Sequence, residues 1–432
     1  MSQVAKPSIV WTQMGARQSF AGAQMAHREG LLRCLITDAW NPLSLSTTAL
    51  LARLGISPLC GFLKRRNDAI PRSHVVAFNG SATWAWLRSA RPRQMGRNAV
   101  YKKFIAEGAH FASKCALHLG SDHTSFFGFS CASLEAMQFE RKHRRRTVLD
   151  QIDAARTEDK IVCREAQRFK EIAPDWEPIP EPYFARLEEE WNEASCVLVN
   201  SLWSKTALME QRVPAGKICV VPIMFSPGGC SNPGVRSRSK QLRILWLGEL
   251  NLRKGLPYAI GAARLVRDAP AVFTFAGRCG IRREQLSLPE NCRYIGWVPR
   301  MHSRELYAEH DVFLFPTLSD GFGIVQLEAM SQGLPVVATA CCGSVVEHQI
   351  SGFIVPPRDP RAIADAILAF LNSPDLLEAM SVAAVRRSAD FAPQKIWPVL
   401  RSVLLGSEYT NSIEDDEHTN VASPNLTVSA NV

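Results

Sequence analysis

No run of apolar residues in this chain approaches the roughly 20 that a membrane-spanning helix needs. The opening residues, MSQVAKPSIVWTQMG, lack a long apolar core and a cleavage-like site, so no secretory leader is expected. None of the 12 cysteines stands in a C-x-x-C pair, and only Cys341 and Cys342 are neighbours. That scatter argues against a disulfide framework or a zinc site and predicts reduced thiols in a cytoplasmic protein. No Asp-x-Asp triad occurs anywhere. The stretch Gly406 to Val432 contains no Lys or Arg and holds five acids (Glu408, Glu414, Asp415, Asp416, Glu417). With its Ser, Thr and Asn content it predicts a disordered acidic tail over 406–432.

What is present points to a globular protein rich in core-forming residues. The 432 residues suffice for two or three domains, and the 46% hydrophobic and 21% charged content are those of a folded enzyme. Net charge is +9, so the body before the acidic tail carries +14. Such a body suits anionic partners. Arg88, Arg91, Arg93, Arg97, Lys102 and Lys103 fall within one stretch without an acid, flanked or interleaved by Trp84, Trp86, Tyr101 and Phe104. Lys142 to Arg146, KHRRR, adds to them. Basic plus aromatic suits an anionic membrane surface, though a solvated loop explains the charge slightly better. No nucleic-acid motif accompanies it, so no nucleic-acid partner is expected.

The first half opens with an apolar run, Ser8 to Trp11, a Gly15-Ala16-Arg17 turn, a helical stretch to about Arg28 and a second strand, Leu31 to Ile36. Further strands are expected at Val75 to Phe78, Thr147 to Ile152 and Cys196 to Val199. Residues 226–240, SPGGCSNPGVRSRSK, read as a linker. Beyond it, strands at Leu242 to Leu247, Val272 to Ala276, Cys292 to Ile295, Val312 to Pro316 and Val336 to Ala338 alternate with helical segments. Alternation of this kind predicts parallel α/β sheets covered on both faces.

Residues 320 to 337, DGFGIVQLEAMSQGLPVV, carry the most chemistry. An acid opens a glycine-flanked turn after a strand, a helix follows, and a Gly-x-Pro step returns the chain to a strand. Leu-Glu-Ala-Met alone means nothing, since it also occurs at Leu134 to Met137 and Leu377 to Met380 and consists of good helix formers. The flanking glycines, the upstream acid and the two strands hold the information. A turn of this kind aims backbone N–H groups at an anion. Asp320 and Glu328 are better suited to sugar hydroxyls. Phosphate beside sugar implies a nucleotide-sugar.

The same stretch resembles the donor-site signature of retaining family-four glycosyltransferases, also called glycosyl transferases group 1. It shows acid-Gly-Phe-Gly, seven residues between the acids, then Leu-Glu-Ala-Met-x-x-Gly-x-Pro-Val-Val. The resemblance implies the α/β GT-B fold, two Rossmann-like domains with parallel sheets facing a cleft. It places Asp320 on the donor sugar, Glu328 on the ribose and the turn Gly321, Phe322, Gly323 toward the diphosphate. The family's first acid is usually glutamate, so Asp320 is shorter by one methylene. The implied domains are 1–225, acceptor side, joined by a crossing C-terminal helix at about 386–405; a linker at 226–240; and 241–385, donor side.

A second segment, ILWLGELNLRKG at 244–255, resembles the family's Gly-Arg-Leu-x-x-x-Lys-Gly motif at identical spacing. Cations beside a glycine turn at a strand's carboxyl end suit a diphosphate. Lys254 would neutralise it, next to Gly248. Glu249 stands where the family has arginine, and Arg253 is positioned to compensate. With no Asp-x-Asp, no catalytic metal and no cofactor are expected; Lys254, Arg253 and the helix start after Gly323 would supply the positive charge.

On the acceptor side, Gly15 and Arg17 form a candidate acceptor or phosphate loop. Asp150 ends a strand where family members usually carry a histidine near the donor sugar. Ser201 and Ser204, in the turn after Val199, read first as a helix cap and second as a donor contact. The function these readings imply is transfer of a sugar, with retention, from a nucleoside-diphosphate sugar of UDP or GDP type. Its acceptor would be a hydroxyl on a glycan or lipid-linked molecule, in bacterial polysaccharide or glycolipid assembly at the inner membrane face. Glu249 and Asp320 leave an alternative open, a catalytically degenerate nucleotide-sugar binder or assembly protein of the same fold.

Overall fold

The structure, a computed structural model, describes residues 7–43, 47–48, 62–80, 96–174, 176–227, 241–281, 284 and 286–407. Most of the linker read at 226–240, nearly all of the tail at 406–432, and the basic and aromatic residues Trp84, Trp86, Arg88, Arg91 and Arg93 lie outside these.

Two parallel sheets form the frame. The first has seven strands in the order β3-β2-β1-β4-β5-β6-β7. They are β1 Ile9–Gln13, β2 Leu32–Thr37, β3 Val75–Ala77, β4 Ser125–Phe129, β5 Arg146–Gln151, β6 Cys196–Val199 and β7 Ile218–Val220. The second has six, ordered β10-β9-β8-β11-β12-β13. Its strands are β8 Leu242–Leu247, β9 Ala271–Ala276, β10 Cys292–Gly296, β11 Val312–Phe315, β12 Val336–Thr339 and β13 Gly352–Val355. The inner strands are apolar along nearly their whole length because helices cover both faces; Val312 to Phe315, for example, are all buried.

In each sheet the chain runs outward from a central strand, returns, and runs outward the other way. The reversal falls between β1 and β4 in the first sheet and between β8 and β11 in the second. At such a reversal the flanking loops diverge and leave a crevice at the strands' carboxyl ends.

The sequence missed three strands: β4, β7 and β13. β4 reads SFFGF, and its Gly128 looks like a turn residue. A side chain there would collide with Ser133, since an added Cβ would lie 2.2 Å from its Oγ. The glycine serves close packing inside a strand. Also missed were the helices Arg97–Ala116 and Pro374–Ser388, whose mixed composition hides their buried stripe.

The helix Pro393–Leu405 packs against β4, β5 and the helix Ala21–Arg28 of the first sheet. Its buried stripe is Ile396, Trp397, Leu400, Val403 and Leu404. At about 1.5–3 kcal/mol for each large apolar side chain buried, that stripe anchors the helix firmly. The helices and loops that flank the two sheets also meet. Ile161, Val162, Ala166, Trp203 and Ala207 from the first pack with Leu252, Leu256 and Tyr258 from the second. Among the described residues no single helix is long and apolar enough to cross a membrane.

Much of the described basic surface is already engaged. Arg97 lies 3.7 Å over the Trp176 ring and pairs with Asp159 at 3.5 Å. Arg145 pairs with Glu140 at 3.1 Å, and Arg146 donates to the Val403 carbonyl at 2.8 Å. The patch read from the sequence is therefore narrower than its charge count, with Lys102, Lys142 and Arg144 among its exposed members.

Candidate functional site

Two strand ends at the reversal of the second sheet build the site. After β8 the chain reaches Arg253-Lys254-Gly255, and after β11 it reaches Ser319-Asp320-Gly321. The two loops lie against each other: Leu318 N–H donates to the Arg253 carbonyl at 2.8 Å, and the Thr317 hydroxyl donates to it at 3.2 Å. Gly255 has a φ of +75°, and an added Cβ would lie 2.0 Å from the Pro316 carbonyl oxygen. Only glycine fits that approach.

On this scaffold Lys254 Nζ bonds Asp320 Oδ2. Arg253 Nη1 reaches the same oxygen at 3.3 Å and the Ser319 carbonyl at 3.0 Å. Phe322 N–H donates to the other oxygen, Oδ1, at 3.2 Å. Lys254 also sits 4.7 Å above the Phe315 ring. Burial pushes the Asp320 carboxyl up, but Lys254, Arg253 and the Phe322 N–H outweigh it and hold it at about 2. Asp320 is thus a fixed anion between two cations, at the reversal point where a ligand is expected.

The other donor-side residues singled out from the sequence are placed differently from one another. Glu328 lies on the following helix, Val325–Ser331, and is held by its own partners: Arg300 Nη2 at 3.1 Å and the Tyr307 hydroxyl at 3.2 Å. Phe322 turns inward. It is 3% exposed, meets Phe391 edge to face at 5.8 Å and packs on Gly343, so only its backbone belongs to the site. Gly248 donates its N–H to the Ala276 carbonyl at 2.9 Å, which engages that N–H within the sheet edge. Glu249 is exposed and accepts from Asn251 Nδ2 at 3.1 Å, turned toward Gly280.

The first domain reaches the same place. An added Cβ on Gly321 would lie 2.0 Å from the Ile152 carbonyl oxygen, so the turn fits directly against the end of β5. The helix Ala155–Arg168 supplies Glu158, whose Oε1 lies 3.6 Å from Arg253 Nε. Its other oxygen accepts from the Ser319 hydroxyl at 2.9 Å, and Trp203 Nε1 donates to that hydroxyl at 3.2 Å. The sequence reading missed Glu158. A signal existed: Glu158, Ile161, Val162 and Glu165 share one helix face, so two acids interrupt an apolar stripe. Glu165 is itself buried between Arg358, at 2.6 Å, and Tyr258 of the second domain.

Ser201 caps the helix Leu202–Glu210, its side chain accepting from Ser204 N–H at 3.1 Å. The Ser204 hydroxyl lies 3.5 Å from the Gly321 carbonyl, beside the site.

Arg17 and Asp150 come together at the carboxyl ends of the first sheet. With Gln13, Asn200, Ile223 and Leu400 they line a cavity of about 30 Å³. Gly15 is tied instead to Asp38, its N–H donating to Oδ1 at 2.8 Å. Asp150 is 5% exposed and its Oδ1 has no partner. Burial pushes its carboxyl up to about 7, with Arg17 only partly opposing it. Among the described residues no three His, Cys, Asp or Glu side chains are grouped so as to hold a metal ion.

Two basic side chains clamping an acid at the reversal point of a parallel sheet fit a sugar-phosphate site, and the sequence comparisons agree on the class of domain. Residues 241–373 match the family described as glycosyl transferases group 1. This segment is a group 1 glycosyltransferase domain. The chain is 28% identical over 224 residues to the putative colanic acid biosynthesis glycosyltransferase WcaL of Escherichia coli K12, covering 48% of this chain and 55% of WcaL. It is 30% identical over 187 residues to the amylovoran biosynthesis glycosyltransferase AmsK of Erwinia amylovora, covering 39% and 46%. The match thus spans about half the length of these curated relatives. In three dimensions the chain resembles Anabaena HepE, solved in complex with UDP-glucose, with a TM-score of 0.54 at 16% identity over 93% of this chain and all of HepE. At that identity the likeness concerns the fold, and the group 1 domain together with its partner sheet has the GT-B architecture.

Proposed function

We propose that this protein is a glycosyltransferase of polysaccharide or glycolipid assembly. It moves a sugar from a nucleoside-diphosphate sugar, of UDP or GDP type, to a hydroxyl on a glycan or lipid-linked acceptor, with retention of configuration. The observation that carries the reading is the convergence of Lys254 and Arg253 on Asp320 at the β8/β11 reversal. The names of WcaL and AmsK, both assigned to polysaccharide biosynthesis, support the pathway class. The HepE complex supports a UDP-sugar as donor class.

In this reading Lys254 and Arg253 bridge Asp320 and the donor diphosphate and stabilise the leaving group as its charge grows. They do so without a metal or cofactor. Asp320, held at about 2, is a weak base and acts by orienting sugar hydroxyls. Glu328 receives the ribose hydroxyls while Arg300 and Tyr307 fix its carboxylate. Asp150 and Arg17 face the sugar or acceptor from the other domain. The outward turn of Glu249 leaves the cationic side of the site clear, which favours an active enzyme over a degenerate binder of the same fold. Exposed Lys102, Lys142 and Arg144 give a cytoplasmic enzyme a means of meeting an anionic membrane face.

Thermal unfolding with UDP, GDP, ADP and dTDP tests the reading. A ligand at 100 times its Kd adds about 2.7 kcal/mol to stability. One nucleotide series is expected to raise Tm by a few degrees, and Lys254→Ala and Glu328→Ala are expected to lose that rise. No shift with any nucleotide at millimolar concentration would remove the donor-binding reading.

A further inference from the structure

We propose that Glu158 takes up a proton when the nucleoside diphosphate binds, so that an acid of the first domain sets the pH dependence of donor affinity in the second. This rests on the donor-site reading above and adds a regulatory element to it.

The argument starts from charge. Asp320, Arg253 and Lys254 face Glu158 from the second domain. Asp153 faces it from the loop before its own helix, and Tyr101 looks onto Glu158 from the helix Arg97–Ala116. Tyr183, on the helix Glu181–Glu193, adjoins Asp153, and Arg17 also acts on Asp153. Three carboxylates thus lie near a few cations, already close to balance. A diphosphate adds further negative charge and draws Arg253 away from Glu158, while Lys254 and the Phe322 N–H stay on Asp320. One carboxylate must then give up its charge or lose its counter-ion.

Geometry selects Glu158. Asp320 is gripped by both cations and a backbone N–H. Burial raises the Asp153 carboxyl as well, but it accepts the Ala155 N–H at 2.9 Å and the Gln151 amide at 3.0 Å, two donors that Glu158 lacks and that favour the ionised form. Glu158 has the weakest hold: Arg253 at 3.6 Å and one hydroxyl, Ser319 at 2.9 Å. A hydroxyl is a reversible partner. It donates to the carboxylate and accepts from the carboxylic acid, so Glu158 can be protonated without losing that bond. Trp203 Nε1 holds the Ser319 oxygen from the far side in either state. Burial, with Asp153 and Asp320 nearby, already lifts Glu158 to about 7 against the pull of Arg253. An arriving anion lifts it further. Below pH 7 the proton is present beforehand; above it, binding must recruit one.

The test is calorimetric titration of the full chain with UDP and GDP between pH 6.5 and 8.5, where the free nucleotide phosphates are largely ionised. Wild-type affinity is expected to weaken by up to tenfold per pH unit above 7. Titrations in two buffers of different ionisation heat should show uptake approaching one proton at pH 8, a measurement that needs no variant. Glu158→Gln, which keeps the shape and the bond to Ser319, should bind with little pH dependence and about tenfold more tightly than wild type at pH 8.5. If wild type takes up no proton at pH 8, the proposal falls. If Glu158→Gln keeps the wild-type slope, another group, Lys254 first, carries the proton and the proposal also falls. If wild type binds neither nucleotide at any pH, the donor-site reading itself fails; binding with a flat pH profile overturns only the role of Glu158.

Discussion

Asp320 and Asp150 are both acids at the carboxyl end of a parallel sheet, both largely out of water, and they differ in what surrounds them. Asp320 has Lys254 and Arg253 on one oxygen and a backbone N–H on the other, and sits at about 2. Asp150 has Arg17 nearby, one oxygen without a partner, and sits at about 7. Burial acts on both in the same direction. The count of donors decides the outcome, and the two acids suit opposite tasks: one a permanent anion that orients, the other a group that can gain or lose a proton at neutral pH.

The sharpest way to break this contrast is to remove the cation from Asp320. Lys254→Ala takes away its nearest charge and the principal neutraliser of the proposed diphosphate. Loss of a single charge-stabilising group from a transfer site costs about 10²–10³-fold in rate, and a fall of that size in kcat/KM is expected. The Asp320 carboxyl should rise, visible by NMR titration. Lys254→Arg keeps the charge but not the shape. It should restore the Tm of the unliganded protein while recovering only part of the activity. Full activity in Lys254→Ala would show that the clamp is structural.

Glu328 sharpens the comparison from within the same domain, because its partners are a tyrosine and an exposed arginine instead of two half-buried cations. Removing a charged hydrogen-bonding group costs roughly 1.5–3 kcal/mol where it binds ligand. Glu328→Ala is therefore expected to weaken nucleoside-diphosphate binding by about 10–100-fold. Arg300→Ala removes only an exposed pair and should change affinity by no more than a few-fold. Equal effects of the two substitutions would remove Glu328 from the ribose contact.

What was legible from the sequence follows the same division. Lys254, Asp320 and Glu328 each lie within a few residues of a glycine turn after a strand, so local spacing alone placed them on their elements. The parallel α/β plan was legible for the same reason: apolar runs and helical stretches alternate in order. The first domain's share was not. Glu158 meets Arg253 only because two domains pack; its place on an apolar stripe marks it as inward-facing but not what it meets, and its neighbour Asp159 pairs with Arg97 instead. The β1/β4 reversal was hidden too, because Gly128 interrupts the Phe-rich strand that forms it. Spacing locates a residue along the chain but not the direction of its ring or its N–H, and the structure turns the Phe322 ring inward and the Gly248 N–H to the Ala276 carbonyl.

Asp150 offers the mildest test, and its sign follows from linkage. Its folded value, about 7, lies above the roughly 3.9 of an unfolded aspartate. The protonated form is therefore favoured by folding. That contribution is fully present below pH 4 and is lost as the pH rises through 7. At pH 8 the buried carboxylate weighs against the fold, and Asp150→Asn relieves it by placing a neutral group of the same shape in the cavity beside Arg17. The variant is expected to be about 1–2 kcal/mol more stable than wild type at pH 8 and close to it at pH 5, read as diverging Tm curves. If Asp150 also serves transfer, the stabilised variant loses activity, a combination expected of a group kept against the interest of the fold. Coincident Tm curves from pH 5 to 8 would mean that Asp150 is compensated as fully as Asp320, and the contrast between the two acids would vanish.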